Sequence, residues 1–294
     1  MTKIMIAGGG TLGSQIAWQT AISGFKVIVY DKNESGLEDC KKFHQRYARI
    51  YMDKGSDESQ IKRAIENLSF TTDIQQASEY VYLVSESVPE NPKIKAAFYQ
   101  ELSKHIDDSA IITTNSSTLL PSDFVEFVSK PERFLAMHFA NYIWQNNIAE
   151  IMGHKSTDAS ATEKTIQFAK DIGMVPVQLN KEQNGYILNS ILVPFVSSAM
   201  ALVANGVATH EDVDKTMLVS GFASGPFQIL DVVGLETAYN IEHHWGTLLN
   251  DKQKLANAAY VKEHYLDKGK LGIKTGEGFY KYPNPKFKDP GFLK

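Results

Sequence analysis

The sequence predicts an α/β domain with a mostly parallel sheet over residues 1–180, followed by an all-helical domain over residues 181–294. Three observations carry that expectation. Short β-branched runs alternate with helical stretches as far as about Val177, the pattern of parallel strands joined by crossover helices. From about Lys181 onward the β runs stop and helical spacing takes over. The chain has 294 residues and 43% hydrophobic content, enough to fill two cores of ordinary domain size.

Taken in order, strands are expected at Ile4–Ala7, Lys26–Tyr30, Tyr80–Val84, Ala110–Thr113, Leu135–Phe139, Ile148–Met152 and Val175–Leu179. A first helix should run from Ser14 to Ser23 and stop at Gly24, and another from Leu119 to Val128. The second domain should hold helices within Ile187–Ala204, His210–Val219, Gly234–Leu249 and Leu255–Lys268. Its apolar stretch Tyr186–Val203 is broken by Asn189, Ser190 and Pro194, so it reads as a helix buried on most sides rather than a membrane span. After Tyr282 the prolines at 283, 285 and 290 remove backbone donors and predict an exposed end without regular structure.

Composition excludes several classes. A formal net charge of −4 gives no basic field for nucleic acid or an anionic membrane surface. The single cysteine, Cys40, excludes an intrachain disulfide and fits a reducing compartment. The amino terminus lacks a secretory pattern, so a cytoplasmic location is expected. There is no Ser elbow of the G-x-S-x-G type and no zinc-like spacing of ligands. His243 and His244 are adjacent and so point to different sides of a helix.

The glycines come first among the chemical signals. Gly8-Gly9-Gly10-Thr11-Leu12-Gly13 directly follows the first strand and opens the first helix. Gly8 permits the tight turn, Gly10 lets backbone approach a pyrophosphate, and Gly13 lets helix and strand pack closely. Asp31, at the end of the next strand, is placed to bind the ribose hydroxyls of NAD and would repel the 2′-phosphate of NADP. The same residues would also suit a plain turn with a capping Asp, and FAD uses the same turn.

Two further groups lie on later strands. Thr114-Asn115-Ser116-Ser117-Thr118 sits at the carboxyl end of a strand, where α/β sheets bind ligands, though Ser and Thr there also serve as helix caps. His138 closes the apolar run Phe134–Phe139, and Glu150 lies in Asn147–Met152, so a hairpin would bring imidazole and carboxylate together. Such a pair orients the ring and raises its basicity. A lone histidine in an apolar strand is more often a core residue, and the pair gains weight from the nearby dinucleotide motif.

Together these segments resemble the L-3-hydroxyacyl-CoA dehydrogenase family, including the 3-hydroxybutyryl-CoA dehydrogenases. The resemblance is carried by Gly8–Gly13, Glu86–Asn91, Thr114–Leu119, His138–Asn141, Gly185–Phe195, Gly225–Leu235 and Lys274–Tyr280. It implies a Rossmann-type NAD-binding domain followed by a helical domain that pairs with its copy in a homodimer. It further implies that His138 removes the 3-hydroxyl proton while hydride leaves for NAD, that Glu150 holds the imidazole, that Ser117 bonds the reacting oxygen, and that Asn189 positions the thioester. Glu90, Lys95, Asn115, Asn141 and Lys274 match positions used around the cofactor. Lys54, on a helical hairpin after Asp31 that also carries Arg46 and Arg49, matches a lysine that meets the CoA phosphates.

The chain departs from the family pattern in three places. The family commonly reads His-Phe-Phe-Asn-Pro where this chain has His138-Phe139-Ala140-Asn141-Tyr142-Ile143-Trp144; a family serine that contacts CoA falls near Tyr47; and Ser190 follows Asn189 where arginine is usual. The bulk of Tyr142 and Trp144 favours a short acyl chain. The leading expectation is therefore an NAD-dependent dehydrogenase of a short L-3-hydroxyacyl-CoA. A CoA-free 3-hydroxy acid, such as a sugar acid or carnitine-like compound, is the alternative substrate, and a non-catalytic NAD-binding protein is the alternative of another class.

Overall fold

Eight strands form one sheet in a computed structural model of the chain, which describes residues 2–294. The chain divides into two compact units, Met1–Ile187 and Leu188–Lys294. In chain order the first unit contains β1 (Lys3–Ala7), α1 (Thr11–Ile22), β2 (Lys26–Tyr30), α2 (Glu34–Asp53), α3 (Glu58–Glu66), β3 (Leu68–Thr71) and α4 (Ile74–Ser78). There follow β4 (Val81–Glu86), α5 (Pro92–Leu102), β5 (Ile111–Thr114), β6 (Phe134–Phe139), β7 (Ile148–Gly153), α6 (Ala159–Asp171) and β8 (Val175–Leu179).

The strand order is β3-β2-β1-β4-β5-β6-β7-β8, and every neighbouring pair is parallel except β6 with β7. The direction of winding reverses between β1 and β4, and that reversal opens a crevice at the carboxyl ends of the strands. Ile4, Met5 and Ile6 in succession are fully buried, as expected of a central parallel strand covered on both faces. Ile16 and Trp18 of α1 pack with Tyr47 and Tyr51 of α2 on one side of the sheet. Phe98, Tyr99 and Leu102 of α5 pack with Phe124 and Phe134 on the other.

Local chemistry sets several element starts. Asp57 and Gln60 form a reciprocal capping box at α3, and Asn91 caps α5 ahead of Pro92 at its first position. Two elements of the first unit differ from the sequence reading. β3 was not anticipated, since Leu68–Thr71 is a half-buried edge strand of only four residues, too short to show a period. The helix expected at Leu119–Val128 is a 3-10 helix at Pro121–Phe127, beginning where the Pro121 ring presets φ.

The second unit contains α7 (Leu188–Ala204), α8 (His210–Val219), α9 (Pro226–Val233), α10 (Leu235–Leu249) and α11 (Lys252–His264). Val196, Met200, Phe227, Leu230, Leu235, Val261 and Phe279 fill its core. Two buried carboxylates tie it together. Asp214 accepts from the Phe227 and Gln228 amides and the Tyr280 hydroxyl; Asp231 accepts from the Phe279 and Tyr280 amides and the Tyr282 hydroxyl. Burial pushes both carboxyls above the usual carboxylate range, against the pull of those donors.

The end of the chain corrects the expectation of an unstructured, exposed tail. A 3-10 turn forms at Lys286–Lys288, the Phe287 ring meets Tyr280 edge-on at 4.9 Å, and Phe292 is buried. Prolines there stop long helices without preventing aromatic anchors from docking. Among the described residues no helix is long and apolar enough to cross a membrane.

Candidate active site

The loops at the carboxyl edge of the sheet carry the candidate residues. At the β1–α1 turn Gly8 has φ +105°, and a Cβ there would lie 2.4 Å from the Ser87 carbonyl oxygen; a Cβ on Gly13 would lie 2.0 Å from the Gly8 oxygen. Only glycine permits that approach of backbone to backbone. No side chain caps the N-terminus of α1, its first turn has no acidic residue, and a Cβ on Gly10 would meet nothing within 4 Å. The turn thus fits an anion at Gly10, Thr11 and Leu12. Asp31, at the end of β2, accepts from the Gly9 amide at 2.9 Å and the Asn33 amide at 3.0 Å. Gly36 leaves it room, since a Cβ there would be 2.7 Å from the carboxylate.

Behind the next loop lies a buried carboxylate network. Glu86, at the end of β4, accepts from the Lys95 ammonium at 2.6 Å, the Val88 amide at 2.8 Å, the Tyr99 hydroxyl at 2.5 Å and the Thr114 hydroxyl at 2.8 Å. Lys95 is 1% exposed and also meets Glu90 at 3.4 Å. Glu90 in turn accepts from the Ser116 and Thr118 hydroxyls and from the Ser117 and Thr118 amides. Burial works against the Glu90 carboxylate, but the Ser116 hydroxyl, Lys95 and the Thr118 donors outweigh it and hold the group below its ordinary range. The Asn115 amide oxygen accepts from the Phe139 backbone N–H at 2.8 Å, joining β5 to the end of β6.

The antiparallel pairing of β6 and β7 sets His138 directly opposite Glu150. His138 Nδ1 lies 3.1 Å from Glu150 Oε2, and His138 Nε2 lies 3.1 Å from Ser117 Oγ. A carboxylate only accepts, so Nδ1 carries the proton and Nε2 presents its lone pair to the serine side. The other oxygen of Glu150 accepts from the Ile187 amide at 2.9 Å. His138 is 4% exposed and Glu150 0%. Tyr186 covers the imidazole with its own ring, 4.4 Å between centroids and 8° from parallel.

The segment after His138 is fastened to the nucleotide-binding helix. Gln15 of α1 accepts from the Tyr142 and Ile143 amides, and Tyr142 has φ +59°. Trp144 packs on Tyr47 at 5.1 Å and edge-on against Tyr51 at 6.4 Å. Tyr47 is 4% exposed, with its hydroxyl 3.1 Å from that of Ser14. Asn141 is exposed, and its backbone oxygen accepts from the Asn146 side chain.

The remaining candidates lie on other elements. Lys54 is the exposed C-cap of α2, and Arg46 and Arg49 are exposed on the same helix. In the second unit Lys274 pairs with Glu236, and Asn189 lines an apolar cavity of about 80 Å³ with Leu192, Val193, Val196, Met200 and Ile229. Among the described residues no group of three or more His, Cys, Asp or Glu side chains is placed to hold a metal ion.

Residues 3–183 match the model of the 3-hydroxyacyl-CoA dehydrogenase NAD binding domain, and residues 185–282 match that of the 3-hydroxyacyl-CoA dehydrogenase C-terminal domain. The chain belongs to the 3-hydroxyacyl-CoA dehydrogenase family. It is an NAD-dependent oxidoreductase, with the Gly8–Gly13 turn in the NAD-binding domain. It is 31% identical to the mitochondrial hydroxyacyl-coenzyme A dehydrogenase of Rattus norvegicus, over 95% of this chain and 90% of that one. It is 30% identical to a probable 3-hydroxybutyryl-CoA dehydrogenase of Bacillus subtilis, over 95% and 97% of the two chains. Among solved structures a diketoreductase, described as catalysing reactions of dicarbonyl compounds, superposes with a TM-score of 0.90 at 44% identity over 96% of this chain and 99% of that one.

Sequence reasoning gave no role to Gln15, Glu86 or Tyr186. Glu86 left one signal, an acidic residue ending an apolar strand. Gln15 and Tyr186 left none, because their partners come from distant segments.

Proposed function

We propose that this member of the 3-hydroxyacyl-CoA dehydrogenase family interconverts a short L-3-hydroxyacyl-CoA, such as 3-hydroxybutyryl-CoA, and the corresponding 3-oxoacyl-CoA. The observation that carries the proposal is the line Ser117 Oγ, His138 Nε2, His138 Nδ1, Glu150 Oε2, with 3.1 Å at each hydrogen bond. Bound NAD supplies the two-electron acceptor for the hydride leaving C3. His138 Nε2 takes the hydroxyl proton, Glu150 stabilises the imidazolium that forms, and Ser117 donates to the oxygen as it becomes a carbonyl. In the reverse direction the imidazolium returns the proton. Asn189 positions the thioester, and Glu90, Asn115, Asn141 and Lys274 serve the cofactor. Lys95 supports that set through Glu86 and Glu90, while Lys54 meets the CoA phosphates. The same reading includes a cytoplasmic homodimer formed through the helical unit.

A second reading, a CoA-free 3-oxo or dicarbonyl substrate, is favoured by two observations. Tyr47 is buried under Trp144 and so offers no short hydroxyl to a CoA phosphate, and the diketoreductase shares 44% identity. Following NADH oxidation with acetoacetyl-CoA, free acetoacetate and a dicarbonyl ester separates the two. The leading reading expects the highest kcat/KM for acetoacetyl-CoA, and turnover confined to CoA-free compounds would replace it with the second. Under either reading His138→Gln should lower kcat by roughly 10²–10⁴-fold with NADH binding retained.

A further inference from the structure

We propose that Tyr186 is a positioning residue for this reaction, its ring face fixing the His138 imidazole and stabilising the positive charge that arrives with the proton. The proposal rests on His138 being the base. Both imidazole nitrogens are held, by Ser117 on one side and Glu150 on the other. Those bonds leave the ring free to rock about the axis through them. A parallel ring at 4.4 Å and 8° blocks that motion.

Three further contacts tie the same segment to the site. The Tyr186 hydroxyl donates to the Ser116 carbonyl oxygen at 2.8 Å, one residue before Ser117. The next amide, that of Ile187, donates to Glu150 at 2.9 Å. Tyr186 is itself 1% exposed. Gly185-Tyr186-Ile187 thus touches both hydrogen-bond partners of the histidine or their immediate neighbours, and its tyrosine covers the ring.

The backbone at this point is unusual in a way that supports a functional reading. Tyr186 has φ +54°, directly after Gly185 at φ +77°. A bulky residue stays in the left-handed region only where its surroundings over-determine it. Here the surroundings are the stack, the hydroxyl bond and the Ile187 amide bond.

The chemistry follows from the ring's charge distribution. An aromatic face is negative at its centre and attracts a cation laid over it, so the stack favours imidazolium over imidazole. Glu150 is the carboxylate that meets the imidazole directly, 3.1 Å from Nδ1, and it stabilises the same form. Burial keeps the phenol protonated far above neutrality, so its hydroxyl remains a donor to Ser116 at every working pH.

The experiment uses the full chain with histidine-labelled NMR, identifying the His138 signal by its loss in His138→Gln. Tyr186→Leu should lower the His138 titration midpoint by up to about one pH unit. The acid limb of oxidation should move to lower pH with it, kcat should fall about tenfold, and NADH affinity by fluorescence should be unchanged. Tyr186→Phe keeps the ring face and should restore the midpoint. Should the leucine variant fold poorly, phenylalanines carrying one, three and five ring fluorines at 186 preserve shape while depleting the face of charge, and the midpoint should fall stepwise. A midpoint that is the same with tyrosine, leucine and the fluorinated rings would overturn the proposal. Undiminished turnover in His138→Gln would instead remove the general-base reading beneath it.

Discussion

Lys95 shows how far a residue's neighbours decide its work. Its place in the sequence resembles a cofactor contact, yet its ammonium is buried against the fully buried Glu86 and reaches Glu90 on the other side. Removing one member of a buried pair strands the other charge. Lys95→Met is therefore expected to cost about 3–5 kcal/mol in urea unfolding, whereas a residue that only touched the cofactor would change the NAD dissociation constant and leave the unfolding midpoint in place. Asp31, His138 and Glu150 could be nominated from sequence because motif and strand position mark them. Gln15 and Tyr186 could not, since what distinguishes them is a contact with residues far along the chain.

At the scale of elements, the α1–α2 contact carries a titration of its own. His44 on α2 sits within hydrogen-bond distance of the Ser14 carbonyl oxygen, its Nδ1 has no partner, and burial holds the imidazole down to about 4. A histidine whose folded value lies below its unfolded value leaves stability intact above about pH 6.5 and loses it as pH falls toward the folded value. That difference corresponds to about 3 kcal/mol between pH 6.5 and 4. His210 in the helical unit is lowered by burial in the same direction. His44→Gln should flatten the acid side of a stability-against-pH curve by about that amount, and an unchanged curve would show that the buried imidazole does not drive acid unfolding. The β6–β7 hairpin makes a second point at this scale. The register that sets His138 opposite Glu150 fixes which side chains share a face, because a slip of one residue would turn Glu150 to the other side of the sheet.

For the whole molecule, the apolar content of the second unit bears on assembly. Ile191, Val219, Phe222, Leu248 and Leu249 are each more than half exposed, apolar side chains that a second copy could cover. The proposed homodimer should sediment at about twice the 32.8 kDa chain mass at micromolar concentration; a species of single-chain mass there would sink it. The sequence by itself determined the α/β-then-helical order and the glycine turn, because strand alternation, helical spacing and tight turns are local physics written in neighbouring residues, and its motif segments carried the resemblance to the family. The tertiary structure alone decided that Lys95 pairs with Glu86, that Gln15 clamps the segment after His138, that the prolines after Tyr282 do not prevent docking, and that Tyr186 lies over the imidazole. Each joins segments distant in the chain, and such contacts exist only once packing has chosen which faces meet.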